Sequence, residues 1–189
     1  MSLLELLITV LIFALVTSAF VRATGLSLRR EELNSIAIDF YGWLELVQRE
    51  SMSRNNENEQ LNPCTITFRV GTLNPGDVLA STAEGCAPGS PVVNGQAVFL
   101  LPSTNTNASF LVQAFNANAP ANNPQVTFSP RGTTTLREPL TLEFARDGVP
   151  INRCLRIDPL LGFLSIGGLN GSQPTAGLDC PDNSFDGVL

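Results

Sequence analysis

The sequence predicts an α+β fold: a long N-terminal helix, apolar in its first half and amphipathic in its second, packed on an antiparallel β-sheet domain. Three observations carry this. Residues 1–21, MSLLELLITVLIFALVTSAFV, hold a single charged side chain, Glu5, and the next charge is Arg22. Between residues 33 and 51 apolar side chains recur at every third or fourth position, the period of one helix face. From Cys64 onward the period drops to two, the alternation of a half-buried strand.

Residues 6–21 rise about 24 Å as a helix at roughly 1.5 Å per residue. Apolar residues run around the whole circumference, which excludes an ordinary surface helix and leaves burial in a membrane or among copies of the same chain. A signal peptide would place positive charge ahead of the apolar core, and here the only early side-chain charge is an acid. A plain membrane anchor leaves Glu5 unexplained, because a carboxylate in hydrocarbon costs about 2.5–3.5 kcal/mol and is normally partnered.

The second half has a clear apolar face. Leu33, Ile36, Phe40, Leu44, Val47 and Ser51, with Ala37 and Trp43 beside them, oppose Glu31, Glu32, Asn34, Asp39, Glu45, Gln48 and Glu50. The two halves predict one helix from about residue 2 to about 54, roughly 80 Å if straight, with Asn55-Asn56 as its stop. Val16, Thr17, Ser18, Val21, Thr24 and Gly25 have reduced helix propensity, so a kink or short unwound piece is expected near 17–25. The expected organisation is a transmembrane or filament-core half over 1–25 and a globular domain over 26–189. The latter comprises the amphipathic helix half 26–54, a β domain 64–166 and a C-terminal loop 167–189 tied down by a disulfide.

In the β domain, Ile66, Phe68 and Val70 alternate with Thr65, Thr67 and Arg69. Further strands are expected at 96–101, 109–115, 125–129, 140–145, 153–157 and 162–166. Turn signals separate them at Pro130-Arg131-Gly132, Asp147-Gly148 and Asp158-Pro159. The Gly- and Pro-rich run after residue 70, with Asn74-Pro75-Gly76 and Cys86-Ala87-Pro88-Gly89, reads as loop, as does the Asn-, Ala- and Thr-rich 103–124 on both sides of its strand. Short loops between successive strands imply an antiparallel sheet, or a pair of sheets, against the helix.

Composition narrows the function. The chain has 189 residues, enough for one globular domain beyond the helix, a net charge of −6 and no His. All eleven basic residues are Arg, so Lys is absent too. Without His there is no usual general base near neutral pH and no imidazole ligand; without Lys there is no lysine isopeptide cross-link. Residues 55–189 hold six Arg against eleven acids, which gives the globular part an acidic surface.

Four cysteines, Cys64, Cys86, Cys154 and Cys180, stand at wide spacings with no C-x-x-C pair. That favours two disulfides formed outside a reducing compartment over a zinc or redox motif. Of three possible connectivities the sequential one, Cys64–Cys86 and Cys154–Cys180, is favoured, each bond contributing about 3 kcal/mol on the loop-entropy model.

The stretch SLLELLITVLIFALV closely resembles the N-terminus of mature type IV pilins and type II secretion pseudopilins, which carry an acid inside an otherwise apolar helix. The resemblance implies the pilin fold and a mature first residue at Met1, where that family more often has Phe. It implies removal of a basic leader by prepilin peptidase and N-methylation of the Met1 amine. Glu5 would neutralise the amine of a neighbouring subunit, and Leu3, Leu4, Leu6, Leu7, Ile8, Val10, Leu11, Ile12 and Phe13 would pack in a filament core. Many pilins have Pro where this chain has Arg22 and lose helix just before it.

Further on, LELVQRESMSRN, CTITFRV, QVTFSPRGTTT before LTLEF, and CLRIDPLLGFLSI are similar to the GspH/FimT class of minor pilins and pseudopilins. The matching residues are Arg49, Ser51, Arg54 and Asn55 at the helix end and Phe128, Pro130 and Gly132 at the turn. By resemblance, then, the chain is expected to be a structural subunit that polymerises with identical copies into a type IV pilus serving adhesion, motility or DNA uptake. It would reside in the inner membrane before assembly, engage the pilus assembly machinery, and end in an extracellular filament on a bacterial surface. The alternative is a minor subunit that primes or caps a pilus or a secretion pseudopilus.

No catalytic arrangement and no cofactor is expected. Glu57 with Glu59, and Asp179 with Asp182, read as solvated surface acids. Asp179, Asp182, Asn183 and Asp186 are oxygen donors of the kind Ca²⁺ takes, but their spacing matches no calcium loop, so no metal is expected. Asn107-Ala-Ser109 and Asn170-Gly-Ser172 match glycosylation acceptors without further support. Some FimT-like pilins bind DNA, which depends on clustered cations; here Arg153 and Arg156 are the only close Arg pair in the globular part, and DNA is not an expected partner.

Overall fold

The computed structural model describes residues 3–53, 63–103, 109–117, 119–146, 149, 151–170 and 180, the side chains of 3–6, 19–23, 26, 169 and 170 excepted. The chain divides into two compact units, Met1–Glu32 and Leu33–Leu189. Helix α1 (Leu3–Ser53) contributes residues to both.

No unwound piece interrupts α1 at 17–25. The low-propensity hydroxyl residues are accommodated by bonding back to the preceding turn. Thr17 Oγ1 donates to the carbonyls of Phe13 (2.9 Å) and Ala14 (3.0 Å), and Ser18 Oγ to that of Leu15 (2.9 Å). Such bonds satisfy a Ser or Thr side chain without breaking the helix. The Asn55-Asn56 stop lies outside the described residues.

The expected transmembrane half, and with it the inner-membrane stage, is corrected. No helix among the described residues is long and apolar enough to cross a membrane. The reason lies in the bounds of the apolar run: Glu5 and Arg22 leave residues 6–21, about 24 Å of helix against roughly 30 Å of hydrocarbon.

In the second unit α1 buries Leu33, Ile36, Ala37, Phe40, Trp43, Leu44, Val47 and Ser51, the spacing of three and four that one helix face requires. Two antiparallel sheets supply the rest of the core. The first comprises β1 (Cys64–Phe68), β3 (Val78–Ala83), β4 (Val92–Val93), β5 (Gln96–Leu100) and β8 (Gln125–Phe128), in the order β4-β5-β3-β1-β8. The second comprises β2 (Gly71–Leu73), β6 (Phe110–Asn116), β9 (Leu140–Arg146), β10 (Ile151–Ile157) and β11 (Leu164–Asn170), in the order β11-β10-β9-β6-β2, with β7 (Ala119–Pro120) also paired to β6. The protein is therefore α+β, with its helix packed on antiparallel sheet.

Phe40 is where the three layers meet. Its ring contacts Trp43 on α1, Phe68 and Phe99 from the first sheet, and Phe144 from the second. Cys64 on β1 is bonded to Cys86, which closes the 3-10 turn Glu84–Cys86, with 5.7 Å between Cα atoms. Cys154 on β10 is bonded to Cys180, with 6.2 Å between Cα atoms.

The loop expected after residue 70 holds three strands, β2, β3 and β4. Strand β3 escapes periodicity because its register against β5 shifts between Val78 and Ala80, so Leu79 and Ala80 are buried in succession as a bulge demands. The C-terminal loop expected from 167 begins later, since β11 runs to Asn170. Gly168 in this strand allows a close approach: a Cβ there would meet the Arg153 guanidinium. The Asp147-Gly148 turn, residues 104–108, and 171–189 other than Cys180 lie outside the described residues, and with them both glycosylation sequons as wholes and the tail acids.

Candidate assembly site

In the first unit, α1 presents an exposed apolar surface. Every residue from 7 to 18 is exposed. Leu7, Ile8, Val10, Leu11, Ile12, Phe13, Leu15 and Val16 are 49 to 72% accessible. Because they follow one another around the helix, no single face can be turned inward. Six expected assembly residues, Leu7, Ile8, Val10, Leu11, Ile12 and Phe13, belong to this surface. Met1 and the side chains of Leu3, Leu4, Glu5 and Leu6 lie outside the described residues.

In the second unit the end of α1 is bonded to the turns that follow the strands. Ser51 Oγ, fully buried, donates to the Phe128 carbonyl at 2.8 Å. Gln48 Nε2 donates to the Gly162 carbonyl at 3.2 Å. Gly132 sits under Met52, whose sulfur would lie 2.9 Å from any added Cβ. Ser51, Phe128 and Gly132, three of the residues shared with the GspH/FimT pattern, therefore converge on one joint. Arg54 and Asn55 lie outside the described residues, and Arg49 is exposed.

The second sheet buries polar groups that no alternation pattern announces. Glu143 on β9 is buried, as is Asn152 on β10, whose Nδ2 donates to Glu143 Oε1 at 2.6 Å. Arg146, also buried, holds its guanidinium 5.4 Å from the centre of the Phe110 ring, within the range of cation–π attraction. These contacts fix strand register. On α1, burial, then a hydrogen bond with Glu45, then the negative charge of that carboxylate push the Tyr41 phenol above its ordinary value.

Arg153 and Arg156 do not form a basic patch. Three positions apart on β10, they point to opposite faces of the sheet. Arg153 lies against Gly168, and Arg156 Nε pairs with Asp158 Oδ1 at 2.8 Å. Among the described residues no group of three or more His, Cys, Asp or Glu could hold a metal ion.

One feature escaped sequence reasoning. The β10–β11 turn exposes Leu160, Leu161 and Phe163 together. The run Pro-Leu-Leu-Gly-Phe carried the signal, four apolar residues around a turn glycine where polar residues are usual. Comparison with family models, with curated proteins and with solved structures finds no match.

Proposed function

We propose that the chain is a structural subunit that assembles with identical copies into a filament, held by packing of the apolar half of α1. The observation that carries this reading is the ring of eight large apolar side chains between Leu7 and Val16, exposed on a helix whose described residues are not long and apolar enough to cross a membrane. Fully burying such a side chain is worth about 1.5–3 kcal/mol, roughly half of which is still available to a half-exposed one. Over eight residues that is on the order of 10 kcal/mol, comparable with the estimated 4–15 kcal/mol cost of association. The resemblance to type IV pilins supports the same assignment and gives Glu5 its role, as the partner of a neighbouring Met1 amine.

A second reading, a minor subunit of the GspH/FimT kind, is favoured by the joint of Ser51, Phe128 and Gly132 beneath the helix end. Subunit stoichiometry in isolated filaments separates the two, since a priming or capping subunit is present only in trace.

The test is assembly of the full chain after detergent removal, followed by sedimentation and electron microscopy. Filaments are expected to survive concentrated salt and to dissolve in detergent. The double variant Leu11→Asp, Phe13→Asp is expected to remain monomeric with its Trp43 emission unchanged, because Trp43 belongs to the other unit. Normal filaments from that variant would sink the proposal, and normal filaments from Glu5→Ala would remove the role given to Glu5.

A further inference from the structure

Three of the sheet edges are short or covered, and one is neither. In the first sheet β4 has two residues. At the other edge β8 is covered on its outer side, where Phe128 bridges Thr134 and Thr135 N donates to the Thr127 carbonyl at 3.2 Å. In the second sheet β2 and β7, three and two residues long, share the outer side of β6. The opposite edge is β11, seven residues with no charge and no proline. Among the described residues no strand pairs with its outer side. Proteins usually keep edges short, charged or covered, because a long neutral edge is a template for another strand.

The register of β11 fixes which of its backbone groups face outward. Asp158 N donates to the Phe163 carbonyl at 2.9 Å, so these two residues form a hydrogen-bonded pair. Along an antiparallel ladder such pairs alternate with pairs whose N–H and C=O groups point away from each other. In the observed register the latter are Ile157 with Leu164, Leu155 with Ile166 and Arg153 with Gly168. The N–H and C=O groups of Leu164, Ile166 and Gly168 are therefore directed to the outer side of β11.

Arg153 decides what an incoming strand must carry. Its side chain lies over the glycine opposite it, with Cδ and Cζ 3.2 Å from where a Cβ on Gly168 would stand. The guanidinium has thus crossed from β10 to the edge strand, a step of about 4.8 Å, and only a glycine leaves it that path. Arg153 is half-buried, and among the described residues its guanidinium has no hydrogen-bond or ion-pair partner. A partly desolvated charge of this kind favours an acceptor of opposite sign. Local charge agrees, although the whole chain carries −6. Residues 151–170 hold two Arg, Arg153 and Arg156, against one acid, Asp158. Arg156 pairs with Asp158 and points to the other face of the sheet.

We infer that β11 is a docking edge for an extended acidic segment of another protein, which adds a strand to the second sheet and sets a carboxylate opposite Gly168, against the Arg153 guanidinium. Strand addition takes its affinity from main-chain hydrogen bonds and its specificity from alternate side chains. Directly paired residues project to the same face of a sheet, so the side chain that arrives opposite Gly168 stands on the face that Arg153 occupies. A carboxylate there can accept charge-assisted hydrogen bonds from the guanidinium. This contact goes beyond the filament reading and does not depend on packing of the α1 apolar half.

The test uses the full chain dispersed in detergent and a short peptide of alternating Thr and Val with Glu at its centre; the control peptide carries Gln there. Binding is expected to slow hydrogen exchange at the amides of Leu164, Ile166 and Gly168, and to leave those of Ser165 and Gly167, which face β10, unchanged. The Glu peptide should bind about tenfold more tightly than the Gln peptide, and concentrated salt should narrow that difference. Arg153→Gln should erase the difference while Trp43 emission stays native. Gly168→Ala, which puts a Cβ where the guanidinium lies, should erase it with Arg153 still present. Equal affinity of the two peptides, binding without protection of the three amides, or no binding overturns the inference. So does protection already present before peptide is added. If it is constant with protein concentration, the chain's own C-terminal segment holds the edge; if it rises, a second copy does.

Discussion

Replacing Phe40 by Ala tests whether α1 and the two sheets share one core. Phe40 is fully buried. Its ring centroid lies 5.9 Å from Trp43, 6.1 Å from Phe68, 4.9 Å from Phe99 and 5.8 Å from Phe144. Phe-to-Ala changes in cores cost about 3–5 kcal/mol, the spread reflecting how far the site collapses. Here collapse is resisted, because the cavity would be walled by aromatic rings anchored on three separate elements. Each aromatic pair is worth about 0.5–1.5 kcal/mol beyond its buried area, and the four share one ring, so they do not add in full. The expected loss is therefore near the top of the range, about 4–5 kcal/mol, out of a total of roughly 5–15 for a domain. With a urea dependence of about 1–3 kcal/mol/M, the midpoint falls by about 2 M. The assay is urea unfolding of the full chain with disulfides intact, followed by the emission of Trp43, the only tryptophan, and by circular dichroism as an independent probe. A loss within about 0.5 kcal/mol, typical of an exposed position, would refute the picture of one core joining helix and sheets.

Ser51→Ala removes the buried hydrogen bond from the helix end to the Phe128 carbonyl and is expected to cost about 0.5–1.5 kcal/mol, read as a lowered urea midpoint at unchanged slope; no shift would show that the helix end is not held by this bond. Tyr41 supplies a pH dependence. Its phenol is shifted upward from 10.0, so the folded state holds that proton more tightly than the unfolded chain does. The resulting stability is complete below pH 10.0 and is lost as pH rises through the folded value. Tyr41→Phe should flatten that alkaline decline, and an unchanged profile would dismiss the group.

What the sequence disclosed depended on whether burial was one-sided. Residues 33–51 of α1 face the core along one stripe, so spacing of three and four revealed them. Strand β1 buries Cys64, Ile66 and Phe68 and leaves Thr65 exposed, so alternation revealed it too. Strand β9 is buried at every position; its apolar residues marked it as a strand, but nothing in the sequence showed that Glu143 and Thr141 are buried with them. The partner of Glu143 is Asn152, nine residues on in an adjacent strand, and no local pattern links them. Strand β3 was hidden by its bulge and by small residues. The exposed apolar run at 7–16 was legible because it has no polar face. The exposed turn at Leu160, Leu161 and Phe163 was not, because these are ordinary core residues until the conformation of the turn is known.

The acidic balance of the chain gives the candidate assembly surface a defined dependence on ionic strength. At about 0.15 M salt the screening length is roughly 8 Å, so acids on neighbouring copies still repel at contact distance. The α1 ring from Leu7 to Val16 contains no charge. Apart from the ion pair proposed between Glu5 and a neighbouring Met1 amine, nothing attractive there is screened by salt, and the opposing repulsion is. Added salt should therefore leave association of this surface intact or tighten it, opposite to the response of an interface built on exposed ion pairs. Detergent coats a continuous apolar helix and competes with its packing directly. Dissociation by detergent and not by concentrated salt is thus what an uncharged apolar surface requires.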